Sequence, residues 1–123
     1  MSGIIIVVDD EPVVLGFIKE LLSVNHYKVE AYCSGFDAYN AFQAHPEKYP
    51  LVITDQTMPG MLGIELIQKI HAIKRIGSIL CTGYSDQLDQ KVAKEMGAYV
   101  FLSKPFSSKE LLENVGTMLS AYE

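Results

Sequence analysis

The sequence predicts an α/β fold, a doubly wound five-stranded parallel sheet in the order 2-1-3-4-5, built by one domain over residues 1–123. Two observations lead there. Short, branched apolar runs alternate along the chain with segments whose apolar residues recur at helical spacing, and the connections are so short that right-handed crossovers follow. The second of these runs is half polar, which suits a sheet edge, and this order places it there.

Ile4 to Val8 is wholly apolar and ends at Asp9 and Asp10, the pattern of a central strand covered on both faces. Pro12 suits a first helical turn, and Val14, Phe17, Ile18, Leu21 and Leu22 then trace the stripe of a helix reaching about Val24. Tyr27, Val29 and Ala31 alternate with Lys28, Glu30 and Tyr32 as the second strand. Ser34 and Gly35 open a second helix carrying Ala38, Ala41 and Phe42, closed between Pro46 and Pro50. Leu51 to Thr54 is a buried third strand ending at Asp55. After the turn at Pro59, Gly60 and Gly63, a helical stripe runs through Ile64, Ile67, Ile70 and His71. Ser78 to Thr82 is the fourth strand, and Leu88, Val92 and Met96 mark a fourth helix stopped by Gly97. Tyr99 to Leu102 is the fifth strand. Leu111, Leu112, Val115, Met118, Leu119 and Tyr122 are the core stripe of a last helix. The strand order is the flavodoxin-like one.

Hydrophobic residues make up 49 % and charged residues 20 % of the chain, a globular balance that excludes disorder throughout. Fifteen acidic against ten basic residues give a net charge of −5, so no basic face is expected to neutralise many phosphates, and direct nucleic-acid binding is not expected. The Ile4–Val8 run is far shorter than the roughly 20 residues a bilayer demands, and no charged segment precedes it. No direct membrane contact is expected, and the location expected is the cytoplasm. Cys33 and Cys81 stand alone in the sequence and are expected to be buried, reduced thiols.

In an open α/β sheet the ligand site lies beyond the carboxyl ends of the strands, where the strand order reverses. Asp9, Asp10 and Asp55 all fall there. Three crowded carboxylates repel one another, and raised pKa values or a bound cation must relieve that repulsion, a divalent ion being the economical answer. Hard oxygen donors without histidine or thiolate favour Mg²⁺. Thr82 and Lys104 close the fourth and fifth strands and add a hydroxyl and a positive charge to the same rim. Such a set suits phosphoryl transfer to a carboxylate, with Asp55 as nucleophile, Lys104 and Mg²⁺ offsetting charge, and Thr82 donating to a phosphoryl oxygen. The acyl phosphate would change local charge by roughly two units and act as a switch.

Asp9-Asp10, the run from Asp55 through Gln56, Thr57, Met58 and Pro59 to Gly60, Thr82-Gly83, and Phe101 through Lys104-Pro105 to Phe106 together resemble the receiver domain of two-component response regulators. The resemblance covers essentially the whole chain. It implies that Asp55 accepts phosphate from a histidine kinase phosphohistidine, or from a histidine phosphotransfer protein. Asp10 and Asp55 are then direct Mg²⁺ ligands, the main-chain carbonyl of Thr57 completes the protein ligands, and Asp9 acts mainly through water. Phe101 stands at the family's aromatic switch position, following movement of Thr82. Leu62 stands before Gly63 where many receivers carry Asp or Asn, and Phe101 replaces a frequent tyrosine, leaving packing alone to set its rotamer.

Thr57 and Tyr84 lie two residues beyond Asp55 and Thr82 and should flank an attacking water, so Tyr84 is expected to shield the acyl phosphate and tune its lifetime. Taken singly, Asp9 would cap a helix, Thr82 would be a strand residue, Lys104 a solvated charge, Phe101 core, and Tyr84 an exposed aromatic. His26, His45 and His71 are dispersed and are read as surface or helix-face residues, and Met58 as a packing residue.

The leading function is therefore a phosphorelay module that phosphorylates and dephosphorylates itself and controls a protein partner, rather than a conventional turnover enzyme. Its rival is an interaction domain of the same fold that works without phosphorylation. A haloacid-dehalogenase-like phosphatase would want an acid at position 57, which is Thr, and a dinucleotide cradle would want glycines where Asp9-Asp10-Glu11 stands. The phosphodonor is expected at the first helix and the Lys104-Pro105 turn. Output, or homodimerisation, is expected at the last two helices and the fifth strand. The motif from Asp55 to Met61 and that from Cys81 to Tyr84 resemble those of hybrid histidine kinases. The expectation is thus a receiver from the cytoplasmic part of such a larger, membrane-bound kinase, with a freestanding receiver as the alternative.

Overall fold

The computed structural model describes residues 3–83, 90–95, 97 and 100–122. Five strands, β1 (Ile4–Val8), β2 (Lys28–Tyr32), β3 (Leu51–Asp55), β4 (Gly77–Thr82) and β5 (Val100–Ser103), pair in the order β2-β1-β3-β4-β5, all parallel. Between and after them run α1 (Pro12–Val24), α2 (Gly35–Ala44), α3 (Gly63–Ile73), α4 (Gln90–Glu95) and α5 (Ser108–Tyr122), with a 3-10 turn at Pro46–Lys48. This is the expected doubly wound sheet, and the half-polar second strand lies at its edge.

Strand alternation divides the core in two. Ile6 and Val8 of β1, Val52 of β3 and Leu80 of β4 face Phe42 of α2 and Ile64, Ile67 and Ile70 of α3. Their neighbours Ile5, Val7, Ile53, Ile79 and Cys81 face Ile18 and Leu22 of α1 and Leu111 and Val115 of α5. Burying each such aliphatic side chain contributes about 1.5–3 kcal/mol, which is why the central strands read as unbroken apolar runs. Ser34 caps α2, its Oγ accepting from the amides of Phe36 and Asp37.

At the β2 edge the hydroxyls of Tyr32 and Tyr49 both donate to Glu30 Oε1 at 2.8 Å, and the Tyr49 ring lies tilted against Phe42. Burial, then the Glu30 carboxylate, push the Tyr32 hydroxyl up to about 12 and Tyr49 also upward, so both remain donors.

Three expectations need correction. Val92 is not on the buried stripe of α4: it is exposed, whereas Ala93 is buried there. Cys81 is buried, but Cys33 is exposed, because it follows the last residue of the edge strand and faces no covering layer. Phe17 is not core: it is 50 % exposed, and Val14 and Leu21 are only partly covered, since α1 turns just Ile18 and Leu22 fully into the sheet. The expected contributions of Leu88, Met96, Tyr99 and the Tyr122 side chain lie outside the described residues.

Candidate functional site

Sheet register brings the acidic residues together. Val8 pairs with Thr54, so Asp9 and Asp55 leave β1 and β3 at the same level, and Asp55 in turn pairs with Cys81 of β4. Thr82 pairs with Ser103, so Lys104 leaves β5 just beyond them, and its amide donates to the Thr82 carbonyl oxygen at 2.8 Å.

Asp9, Asp10 and Asp55 each offer a carboxylate oxygen, and these oxygens all lie within 4.8 Å of one another. Asp9 and Asp55 are buried, and Asp10 is the most exposed of the three. Lys104 Nζ lies 2.9 Å from Asp55 Oδ1 and 3.2 Å from Asp9 Oδ2, joining the two buried acids. Asp9 Oδ1 accepts from the Glu11 amide at 2.9 Å, so this one carboxylate both fixes the turn into α1 and faces the cluster. Burial pushes the Asp55 carboxyl upward. Lys104 pulls against that shift, and Asp9 and Asp10 add to it. Burial would lower the Lys104 ammonium, but hydrogen bonding and charge from Asp55, then Asp9, carry it upward overall. Each group therefore sustains the charge of the other.

The donor chemistry fits a small hard cation. Among the described residues no histidine or cysteine belongs to the group. The oxygens lie within 4.8 Å of one another, a bound that admits both the adjacent (roughly 3.0 Å) and the opposite (roughly 4.2 Å) separations of an octahedral ion with ligands at about 2.1 Å. Thr57 lies exposed in the loop after β3, two residues from Asp55. Thr82 ends β4, partly covered, and Phe101 of β5 pairs with Leu80 and packs against the α3-side core. Tyr84 lies outside the described residues. Met58 is buried, in keeping with a packing role, and the Thr54 hydroxyl near its sulfur donates to the Asp55 carbonyl oxygen at 2.9 Å.

One feature escaped the sequence reading. Gln56 is only 5 % exposed, and its side chain is bonded to the start of α3. A buried amide beside a strand-end acid carries no pattern signal, although Leu62 at the helix start does announce a missing cap. On the face of the first helix and the Lys104-Pro105 turn lies an open groove of about 340 Å³, lined by Val14 and Phe17 of α1 and by Lys104, Pro105 and Phe106 and adjoining the site. The exposed faces of Val13, Phe17 and Val24 extend it along α1.

An open parallel sheet in this order, with an acid cluster and a lysine at the carboxyl ends of its strands, defines a flavodoxin-like domain whose site lies at the switch point. The family model for the response regulator receiver domain matches residues 5–116, and the chain belongs to that family. Over 94 % of its length it is 31 % identical to the TorCAD operon transcriptional regulatory protein TorR of Escherichia coli O157:H7, covering 49 % of that protein. The chain spans about half the length of curated relatives such as this one. Among solved structures, a response regulator receiver domain protein from Clostridium thermocellum superposes with a TM-score of 0.91 at 28 % identity, covering 97 % of this chain and 95 % of that one. The receiver domain of the TMAO respiratory system response regulator TorR superposes at 0.87 with 29 % identity, over 98 % and 99 % of the two chains. Among the described residues, no helix is long and apolar enough to cross a membrane.

Proposed function

We propose that the chain is a phosphoacceptor switch in which Asp55 takes a phosphoryl group from a phosphohistidine. An Asp55 oxygen attacks phosphorus as the nitrogen–phosphorus bond breaks, and the electron pair leaves on the imidazole. Lys104, 2.9 Å from Asp55 Oδ1, holds the carboxylate in place beforehand and afterwards offsets the added negative charge. Asp10, Asp55 and the Thr57 main-chain carbonyl would hold Mg²⁺, with Asp9 acting through water, and the ion supplies charge neutralisation at the transferring oxygens. The Thr82 hydroxyl donates to a phosphoryl oxygen, and the Phe101 ring repacks in response. Thr57 and Tyr84 flank the path of hydrolytic water and set the lifetime of the phosphorylated state.

The observation that carries this reading is the Lys104 ammonium bridging two buried acids inside a three-carboxylate cluster. The phosphodonor, a histidine kinase or a histidine phosphotransfer protein, docks on the apolar groove between α1 and Pro105-Phe106, which adjoins Lys104. Output passes to a protein partner or a second copy through the last two helices and β5, acting in the cytoplasm. Residues 1–123 would form one functional unit in this role.

Incubation with acetyl phosphate tests the reading. Uptake of one phosphoryl group that needs Mg²⁺ and disappears in Asp55→Asn is expected. An unmodified chain under those conditions favours an interaction domain that works without phosphorylation.

A further inference from the structure

The first turn of α3 has amides to satisfy, and its N-cap residue, Leu62, offers no acceptor side chain. Glu65 Oε1 accepts from the Leu62 amide at 2.8 Å, which supplies only the reciprocal half of a capping box. The missing half comes from outside the helix. Gln56 Oε1 accepts from the Ile64 amide at 2.9 Å, and the Gln56 main-chain oxygen accepts from the Gly63 amide at 2.8 Å. The Gln56 main-chain amide in turn donates to the Cys81 carbonyl oxygen at 2.9 Å. One buried residue thus joins the end of β3, β4 and the start of α3, closing the 57–62 loop on itself.

Gln56 is also the residue between Asp55 and Thr57. Rotation of its two peptide planes would displace the Asp55 side chain and the Thr57 carbonyl together. An ordinary cap at position 62 would satisfy the Ile64 amide equally well, but the two main-chain bonds would then hold residue 56 without the third tie its side chain makes to α3. We propose that the Gln56 side chain is a positioning residue, clasping the loop to α3 and so setting divalent-cation affinity and phosphoryl acceptance at Asp55. This rests on the receiver reading above.

The test compares the parent, Gln56→Met, which keeps length and bulk without the amide oxygen, and Gln56→Met combined with Leu62→Asn, which returns a cap to α3. The readouts are Mn²⁺ affinity by electron paramagnetic resonance, hydrogen exchange at the Ile64 amide, and thermal unfolding. Loss of one buried hydrogen bond should weaken Mn²⁺ binding roughly three- to tenfold and speed Ile64 exchange in Gln56→Met. The double variant should regain Ile64 protection and melting temperature while its Mn²⁺ affinity stays low, and it provides the folded comparison if the single variant unfolds. Mn²⁺ affinity equal to the parent's in either variant overturns the inference, because capping alone then accounts for Gln56. A parent that takes up no Mn²⁺ overturns the receiver reading and this inference with it.

Discussion

Gly63 packs so closely on the main-chain carbonyl oxygen of Asp55 that a methyl group there would overlap that oxygen and stand 2.8 Å from Leu80 Cδ1. The start of α3 is therefore built directly on the peptide that carries the proposed nucleophile. Gly63→Ala must push the helix off that peptide, at a cost of roughly 1–3 kcal/mol. Urea unfolding should show a lower midpoint with unchanged slope, and Mg²⁺ titration a weaker affinity. A variant as stable as the parent would mean that the contact relaxes without resistance.

Removing the Lys104 charge should make the acid cluster depend on metal. Without metal, Lys104→Met leaves the buried Asp9 and Asp55 carboxylates facing each other unpaired, which should cost roughly 1.5–3 kcal/mol. Mg²⁺ should then raise the melting temperature of the variant more than that of the parent, because a cation no longer competes with the ammonium. Phosphoryl acceptance from acetyl phosphate should nonetheless slow. A smaller Mg²⁺ stabilisation in the variant would contradict the charge argument.

His71 should contribute pH dependence. Its Nε2 lies 3.0 Å from the Ile76 carbonyl oxygen, while buried Nδ1 has no hydrogen-bond partner among the described residues and lies against Gly97, where a β-carbon would come within 2.8 Å. Burial lowers its pKa, with the Ile76 bond opposing and the Arg75 charge reinforcing that shift. The unfolded chain therefore takes up this proton first as pH falls. Stability attributable to His71 is intact above about pH 6.5 and declines below it, down to the lower folded value. Denaturation between pH 7.5 and 5 should show a shallower decline for His71→Gln than for the parent; parallel curves would remove His71 from the account.

Phe17 separates docking from chemistry. Half exposed at the groove beside Lys104, it contributes little to the core, so Phe17→Ala should change stability by less than about 1 kcal/mol. Transfer from a phosphohistidine protein should slow several-fold, while the rate with acetyl phosphate stays at the parent's value. Equal losses with both donors would place Phe17 in the chemistry instead.

Periodicity alone brought out most of the scaffold. The bounds of β1 and α1 follow from the run Ile4–Val8 and the signals at Pro12 and Val24, because residues buried on both faces leave little choice of residue type. The meeting of Asp9, Asp10 and Asp55 was legible for a related reason: parallel register sets the strand ends level. What was not legible depends on contacts between distant segments. Gln56 capping α3, the two phenols on Glu30 and the Nδ1 of His71 against Gly97 each join residues that no short pattern links. Phe17 fits a helical stripe as well as a core residue does, and only the angle at which α1 sits on the sheet exposes it.

The central claim is that Asp55 itself becomes the acyl phosphate. Brief phosphorylation with acetyl phosphate and Mg²⁺, followed by tritiated borohydride, which reduces an acyl phosphate to a labelled alcohol, and then peptide mapping, tests it most directly. Label confined to the peptide carrying Asp55, and absent when Mg²⁺ is chelated, is the predicted result. Label at Asp9 or Asp10, or none above the unphosphorylated control, would contradict it.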